Sequence, residues 1–160
     1  MKGKFTADNV QVRSYESDGT LFDPTDKEMH LTQIKGGVTM VNNNDTSVIR
    51  YTGSWNYAGN RAFGDFDNDV HYTEKNGDKV TFTFTGTGVR FISEKNTDEG
   101  DIKVTLDGQN KGTVSAYNGS RAAQQVVYEI TGLEDKEHTL TLEKAGGEYM
   151  LVDAFAVINE

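Results

Sequence analysis

Hydrophobic and polar residues alternate with a period of two along most of the chain. In KVTFTFTGTGVRFISEK, Val80, Phe82 and Phe84 alternate with threonines, and Val89 and Phe91 resume the alternation after a GTG turn. This pattern is typical of half-buried β-strands, because successive side chains of a strand point to opposite faces. The segment therefore predicts an antiparallel hairpin.

The same alternation returns in DIKVTLDGQNKGTVSAY, QVVYEITGL, EHTLTLEKAGG and YMLVDAFAVIN. Asp107-Gly108 is a strong signal for a two-residue hairpin turn. Seventeen glycines against one proline fit many tight turns between short strands, and no segment shows a helical stripe. The pattern predicts an all-β fold, either a sandwich or a barrel.

The predicted strands become dense only from about residue 47 onward. Before that point, NVQVRSY and GGVTMV look like strands, and a turn-rich loop between them contains Pro24. The NNND segment, residues 42 to 45, is a candidate linker. We interpret residues 1–45 as a strand-and-loop arm or linker and residues 46–160 as the main domain.

Composition excludes several classes of function. Sixteen basic and 25 acidic residues give a formal net charge of −9, which disfavours binding of nucleic acid through a basic face. There is no cysteine, hence no thiolate metal site. No apolar run approaches the roughly 20 residues that a spanning helix needs, so we expect no membrane insertion. The first ten residues lack the apolar region of a signal peptide.

Acidic residues cluster in two loops. GDFDNDVHY places Asp65, Asp67 and Asp69 at alternate positions, but the glycine and terminal glutamate of an EF-hand are missing. A single Ca²⁺ held by this loop is one interpretation, and a solvated acidic turn before a strand is the other. NTDEGD, with Asp98, Glu99 and Asp101, is a second candidate of the same kind.

The chain has no recognisable catalytic motif. Asp69 and His71 share one face of a predicted strand, but no nucleophile motif accompanies them. His138 in EHTLTL is expected to be structural. We therefore expect a protein that is not an enzyme.

Aromatic rings beside amides and a guanidinium group are the most informative candidate chemistry. A sugar ring stacks its C–H face on an aromatic ring, and its hydroxyls take hydrogen bonds from amides and arginine. The predicted ligand-binding residues are Trp55, Tyr57, His71, Tyr72, Tyr117, Asn118, Arg121 and Gln124. Phe82, Phe84, Phe91 and Phe155 are expected in the core. For Trp55, in YTGSWNY, a core role and a ligand role both stay open.

From about Asp45 to the end, the chain resembles the galactose-binding-like β-jelly-roll carbohydrate-binding modules, of which families six and thirty-five are examples. The resemblance rests on IRYTGSWNY, the KVTFTFTGTGVRF hairpin, DIKVTLDG, the GLEDKEHTL strand and MLVDAF. It implies a two-sheet antiparallel β-sandwich that binds polysaccharide without catalysis, in loops at one end. It also implies a structural Ca²⁺, with Asp153 in the place of a ligand, although the N-terminal E-x-E motif of these families is missing.

Residues 1–45 lie outside that match and resemble connecting regions of phage baseplate and tail proteins. The leading hypothesis is a saccharide-binding module of a longer extracellular or cell-surface chain. The alternative is a phage tail or baseplate protein of the virion that adheres to its host, with the arm mediating assembly.

Overall fold

A computed structural model describes residues 5–7, 9–12 and 37–160 of the chain. The chain divides into two compact units, residues 1–37 and 38–160. In the first unit, β1 (Phe5–Ala7) pairs antiparallel with β2 (Asn9–Val12). The loop predicted around Pro24 lies outside the described residues.

The second unit is built almost entirely of strands. Their bounds are Gly37–Asn42 (β3), Ile49–Thr52 (β4), Asn56–Ala58 (β5), Val70–Thr73 (β6), Lys79–Gly86 (β7), Gly88–Lys95 (β8), Asp101–Leu106 (β9), Gln109–Ser115 (β10), Ala122–Ile130 (β11), Lys136–Lys144 (β12), Met150–Val152 (β13) and Ala154–Asn159 (β14). A short 3₁₀ helix, Phe66–Asn68, lies between β5 and β6. The described residues contain no helix that could span a membrane.

The strands form two main sheets and one small one. The five-stranded sheet has the order β10-β9-β12-β7-β4, and the four-stranded sheet has the order β11-β8-β14-β3. A three-stranded sheet, β13-β6-β5, completes the unit. Adjacent pairs such as β7 with β12 and β8 with β14 run antiparallel, so the prediction of a two-sheet antiparallel β-sandwich is confirmed.

Aromatic side chains fill the space between the two main sheets. Phe82 on β7 stacks on Phe155 of β14, with ring centroids 4.3 Å apart and planes 13° from parallel. Phe91 on β8 contacts the same ring at 5.6 Å. These residues and Phe84 are buried, as the alternation predicted. The threonines between them lie on the other face of β7, where Thr83 pairs with Thr139 of β12.

The turn between β9 and β10 has the predicted Asp-Gly chemistry. Asp107 and Gly108 both have positive φ, +52° and +80°, as the favoured two-residue hairpin turns require. The Asp107 carboxylate also lies 2.6 Å from Nδ1 of His138, whose other ring nitrogen lies 2.8 Å from the Glu134 carbonyl. His138 is buried on β12 and ties this turn to the five-stranded sheet, which is the structural role expected of it.

The NNND segment, a candidate linker by sequence, contains a buried polar centre. Asn43 is fully buried, and its amide donates to Asp69 Oδ1 at 2.7 Å and to the Asp153 carbonyl at 3.1 Å. The backbone carbonyl of Asn43 accepts a hydrogen bond from the Tyr51 hydroxyl at 2.6 Å. The preceding strand β3, most of which falls within the predicted arm of residues 1–45, joins the edge of the four-stranded sheet.

Candidate functional site: a charged cleft between loops

A cleft of about 370 Å³ opens between β6, the end of β8 and the loops that follow β5, β8, β10 and β12. Ligand-binding clefts usually enclose roughly 300 to 1,000 Å³, so this one is at the small end of that range. Two tyrosines line it, Tyr72 and Tyr149, with ring centroids 6.1 Å apart in an edge-to-face arrangement. Its charged lining residues are Arg61, Glu74, Glu94, Asp98, Glu99 and Arg121.

Two glycines let the loops of the cleft cross at very short range. A Cβ atom on Gly100 would lie 2.5 Å from the backbone nitrogen of Gly147, and one on Gly147 would lie 2.5 Å from that of Gly100. Next to this crossing, the Asp98 carbonyl accepts hydrogen bonds from the backbone N–H groups of Glu148 at 2.8 Å and Tyr149 at 3.0 Å. The crossing thereby places Glu99 and Tyr149 in the same cleft.

A network of arginines and carboxylates forms one wall. Arg61 Nε lies 2.6 Å from Asp65 Oδ2, and its Nη2 donates to Glu94 Oε1. Arg121 Nε lies 3.3 Å from the other oxygen of Glu94. Both guanidinium groups also lie over the exposed Phe63 ring, at 4.9 Å for Arg61 and 4.0 Å for Arg121. The charge of Glu94 is therefore balanced by two arginines that are themselves held in place.

Glu99 differs from every other carboxylate of this wall. It is only 2% exposed, yet neither of its oxygens has a hydrogen-bond partner among the described residues. The pKa of Glu99 is raised to about 9, mainly by burial. The charges of Glu94 and Asp98 also raise it, and those of Arg61 and Arg121 lower it by less. The cleft lining thus includes a buried carboxyl group that has no hydrogen-bond partner among the described residues and whose raised pKa favours its neutral form.

Two of the predicted calcium ligands, Asp65 and Asp69, lie close enough to a third, Asp153, to influence its charge. This residue is fully buried, and both of its carboxylate oxygens accept a hydrogen bond from the backbone N–H of Phe66, at 3.0 and 3.1 Å. Burial raises its pKa to about 7; the Phe66 N–H opposes that shift, and the charges of Asp65 and Asp69 add to it. Asp69 in turn accepts hydrogen bonds from Asn43 and from the Tyr57 hydroxyl.

This donor set fits a calcium ion poorly. Ca²⁺ takes six to eight oxygen ligands, whereas here Asp65 is held by Arg61 and the Asp153 oxygens by a backbone N–H. Within residues 37–160, no group of three or more histidines and carboxylates is arranged to hold a metal. The assignment of calcium to Asp65, Asp67, Asp69 and Asp153 stays a prediction.

The structure does not bring all the predicted ligand-binding residues together. Tyr72 and Arg121 line the cleft. Tyr117, with 58% of its surface exposed, and Asn118 lie in the loop between β10 and β11, where the Asn118 N–H donates to the Asn96 carbonyl at 3.0 Å. Gln124 donates to the Gly64 carbonyl at 2.9 Å and so connects β11 to the loop after β5.

Trp55, Tyr57 and His71 form a second aromatic cluster around Tyr51. His71 stacks on Tyr51 at 4.2 Å, Trp55 contacts Tyr51 at 5.0 Å, and Tyr57 meets His71 edge-on at 5.3 Å. Because neighbouring side chains of a strand point to opposite faces, His71 and Tyr72 of β6 lie on opposite sides of the small sheet. The cluster is therefore not part of the cleft.

The YTGSWNY segment shows why Trp55 is only partly buried. Gly53 has φ of +119°, and a Cβ atom there would lie 2.1 Å from the Asp78 carboxylate. Asp78 accepts a hydrogen bond from the Ser54 N–H at 2.8 Å and so fixes the bend before Trp55. The indole then packs against the edge of the core and donates to the Thr52 carbonyl at 3.2 Å.

Sequence reasoning missed most of the cleft. Arg61, Phe63, Glu94 and Tyr149 carry no local pattern that distinguishes them from other surface residues. Asp98 and Glu99 did carry a signal, since NTDEGD was a candidate for cation binding. That signal identified the loop but not the loss of hydrogen bonds at Glu99, which depends on the crossing with Gly147.

Comparison with known proteins supports the fold and finds sequence similarity to segments of two carbohydrate-active enzymes. No protein-family model matches the sequence. Among solved structures, a family thirty-five carbohydrate-binding module from Cellvibrio japonicus has a TM-score of 0.59 at 16% identity, covering 77% of this chain and 94% of that one. The chain has the fold of a carbohydrate-binding module. The suspected jelly-roll family resemblance is thereby confirmed at the level of fold.

Two curated relatives come from Flavonifractor plautii. The A type blood N-acetyl-alpha-D-galactosamine deacetylase is 35% identical over 102 residues, which cover 64% of this chain and 13% of the relative. The A type blood alpha-D-galactosamine galactosaminidase is 34% identical over 120 residues, which cover 75% of this chain and 11% of the relative. The chain therefore matches only about an eighth or less of the length of either relative.

Replacing Gly147 with alanine should destabilise the second unit. The new methyl group would collide with Gly100 across the loop crossing, and overpacking of this kind costs about 1–3 kcal/mol beyond the strain of a positive φ. The measurement is the free energy of urea unfolding. Gly132→Ala is the matched control, because Gly132 has φ of +74° against +72° at Gly147 but nothing within 4 Å. Equal losses in the two variants would contradict the crossing.

The unpaired Glu99 should make stability fall as pH rises. Folding raises its pKa from 4.5 to about 9, so between these pH values the folded state keeps a proton that the unfolded state has lost. The free energy of unfolding therefore falls as pH rises through this range. The slope reaches at most about 1.4 kcal/mol per pH unit for one proton. Above about pH 8, beyond the raised pKa of Asp153 at about 7, Glu99→Gln should flatten this slope in urea unfolding. Glu137→Gln, an exposed change on β12, should not. An unchanged slope in Glu99→Gln would contradict the assignment.

Proposed function

We propose that the second unit binds a saccharide, without catalysis, in the cleft beside Tyr72 and Tyr149. The observation that carries the proposal is the pairing of these two rings with the guanidinium of Arg121 in one open cleft between loops. Aromatic faces hold the C–H surface of a sugar ring, and arginine and carboxylate groups bind its hydroxyls. The fold, which is that of carbohydrate-binding modules, supports the same conclusion.

The cleft favours binding over reaction. Both oxygens of Glu94 are taken up by arginines, and Asp65 is paired with Arg61. Carboxylates held in this way are positioned to fix a ligand. We expect weak affinity for one site, on the order of 10–1,000 μM, because few hydroxyl groups are desolvated with a net gain.

The relatives support a proposal for the ligand class and the setting. Both are named for enzymes that act on galactosamine or its N-acetyl form, and each is far longer than the matching segment. We infer that this unit serves as an attached module of a larger carbohydrate-active protein, outside the cell or at its surface, and that its ligand is a hexosamine-containing glycan. The hypothesis of a phage tail or baseplate protein stays a prediction, and neither relative supports it.

Removal of the Tyr149 ring should weaken sugar binding. Titration calorimetry against galactose, galactosamine, N-acetylgalactosamine and cell-wall polysaccharides measures the affinity. Tyr149→Ala should weaken it by up to about tenfold, the worth of one aromatic contact. Tyr57→Ala is the matched control, since Tyr57 is exposed in the second aromatic cluster. Folded protein that binds no glycan would contradict the proposal, and loss of binding only in Tyr57→Ala would move the site to that cluster.

A further inference from the structure

We propose that the cleft selects sugars that carry a protonated primary amine, with Glu99 as the acceptor of the ammonium group. This inference rests on the proposed function, since it names the chemical class of the ligand at the same site. It concerns one contact, between the Glu99 carboxylate and an –NH₃⁺ substituent of the sugar.

The first observation is that Glu99 has no partner of its own. Its carboxyl group lies on the cleft floor, is 2% exposed and accepts no hydrogen bond among the described residues. Leaving a buried polar group unpaired costs about 1–3 kcal/mol, more when it is charged. A ligand that supplies the missing donors recovers that free energy on binding.

The second observation is the charge of the cleft lining. The polar groups that line the cleft with Glu99 are Arg61 after β5, Tyr72 of β6, Glu74 after β6, Glu94 of β8, Asp98 of the same loop, Arg121 before β11 and Tyr149 before β13. With Glu99 neutral, two arginines stand against three carboxylates, so the formal balance is 2 − 3 = −1. Both arginines are bonded to Glu94, and among the described residues neither Glu99 nor Asp98 forms an ion pair.

The buried ammonium of Lys144 does not fill this gap. Lys144 Nζ donates to Asn76 Oδ1 and to the Gly147 carbonyl, each at 2.7 Å. The Glu99 oxygens accept no hydrogen bond from it. In this proposal the cation comes from the ligand.

An ammonium group suits the site better than a hydroxyl group or a metal ion. A neutral hydroxyl donates one hydrogen bond but carries no charge to offset the neighbouring Glu94 and Asp98. A hard divalent cation needs six to eight oxygens, whereas Glu94 is already bonded to Arg61 and Arg121. An –NH₃⁺ group is small, carries one charge and donates three hydrogen bonds.

The test compares matched ligands by titration calorimetry at pH 6, where a primary amine is protonated. Galactosamine should bind at least about tenfold more tightly than galactose or N-acetylgalactosamine, since a hydrogen bond to a charged group contributes about 1.5–3 kcal/mol. Glu99→Gln should abolish this preference and keep the weak binding of galactose. Glu137→Gln, seven residues before Lys144 on β12, is the matched control and should keep the preference.

A second readout distinguishes an ion pair from an ordinary hydrogen bond. Because Glu99 is neutral before binding, ion pairing with an ammonium at pH 6 releases its proton, and the apparent enthalpy should depend on the ionisation enthalpy of the buffer. Galactose should release no proton.

Three results would overturn the inference. Equal affinity for galactose and galactosamine would remove the amine preference and leave saccharide binding intact. Folded protein that binds none of the sugars would remove both proposals. Binding of calcium chloride alone that Glu99→Gln abolishes would replace the ammonium with a metal ion.

Discussion

The stack of Phe82 on Phe155 is the contact on which the rest of this structure depends. One ring belongs to the five-stranded sheet and the other to the four-stranded sheet, and both are almost completely buried. Rings in van der Waals contact at 4.3 Å fix the separation of the two sheets, because a packed interior leaves no room for sliding. The cleft lies at loops that follow β8 of one sheet and β10 and β12 of the other, so its geometry depends on that separation.

The cleft combines a rigid frame with one group that the frame leaves unpaired. Arg61, Asp65, Glu94 and Arg121 neutralise one another, and the glycine crossing fixes the loop that carries Glu99. Glu99 itself lowers the stability of the fold at neutral and higher pH. Groups that weaken the free protein in this way are frequent at binding sites, where a ligand later provides the missing partner.

The period-two alternation predicted most of the fold. It placed Phe82, Phe84, Phe91 and Phe155 in the core correctly, because burial on one strand face is a local property of the sequence. The cleft cannot be predicted from local sequence in the same way. Arg61, Glu94 and Tyr149 are brought together from three distant segments by sheet packing alone. Asn43 shows the same limit, since a polar NNND run reads as a linker until its hydrogen bonds to Asp69 and Asp153 are known.

The position of Trp55 has a practical consequence for spectroscopy. It is the single indole of the chain, it packs between Tyr51 and the core edge, and it lies with His71 on the side of the small sheet away from Tyr72. Its emission therefore reports on the integrity of β4 and β5, and the cleft lies on the opposite side of the small sheet. Intrinsic fluorescence is a probe of unfolding for this protein, while occupancy has to be followed by another signal.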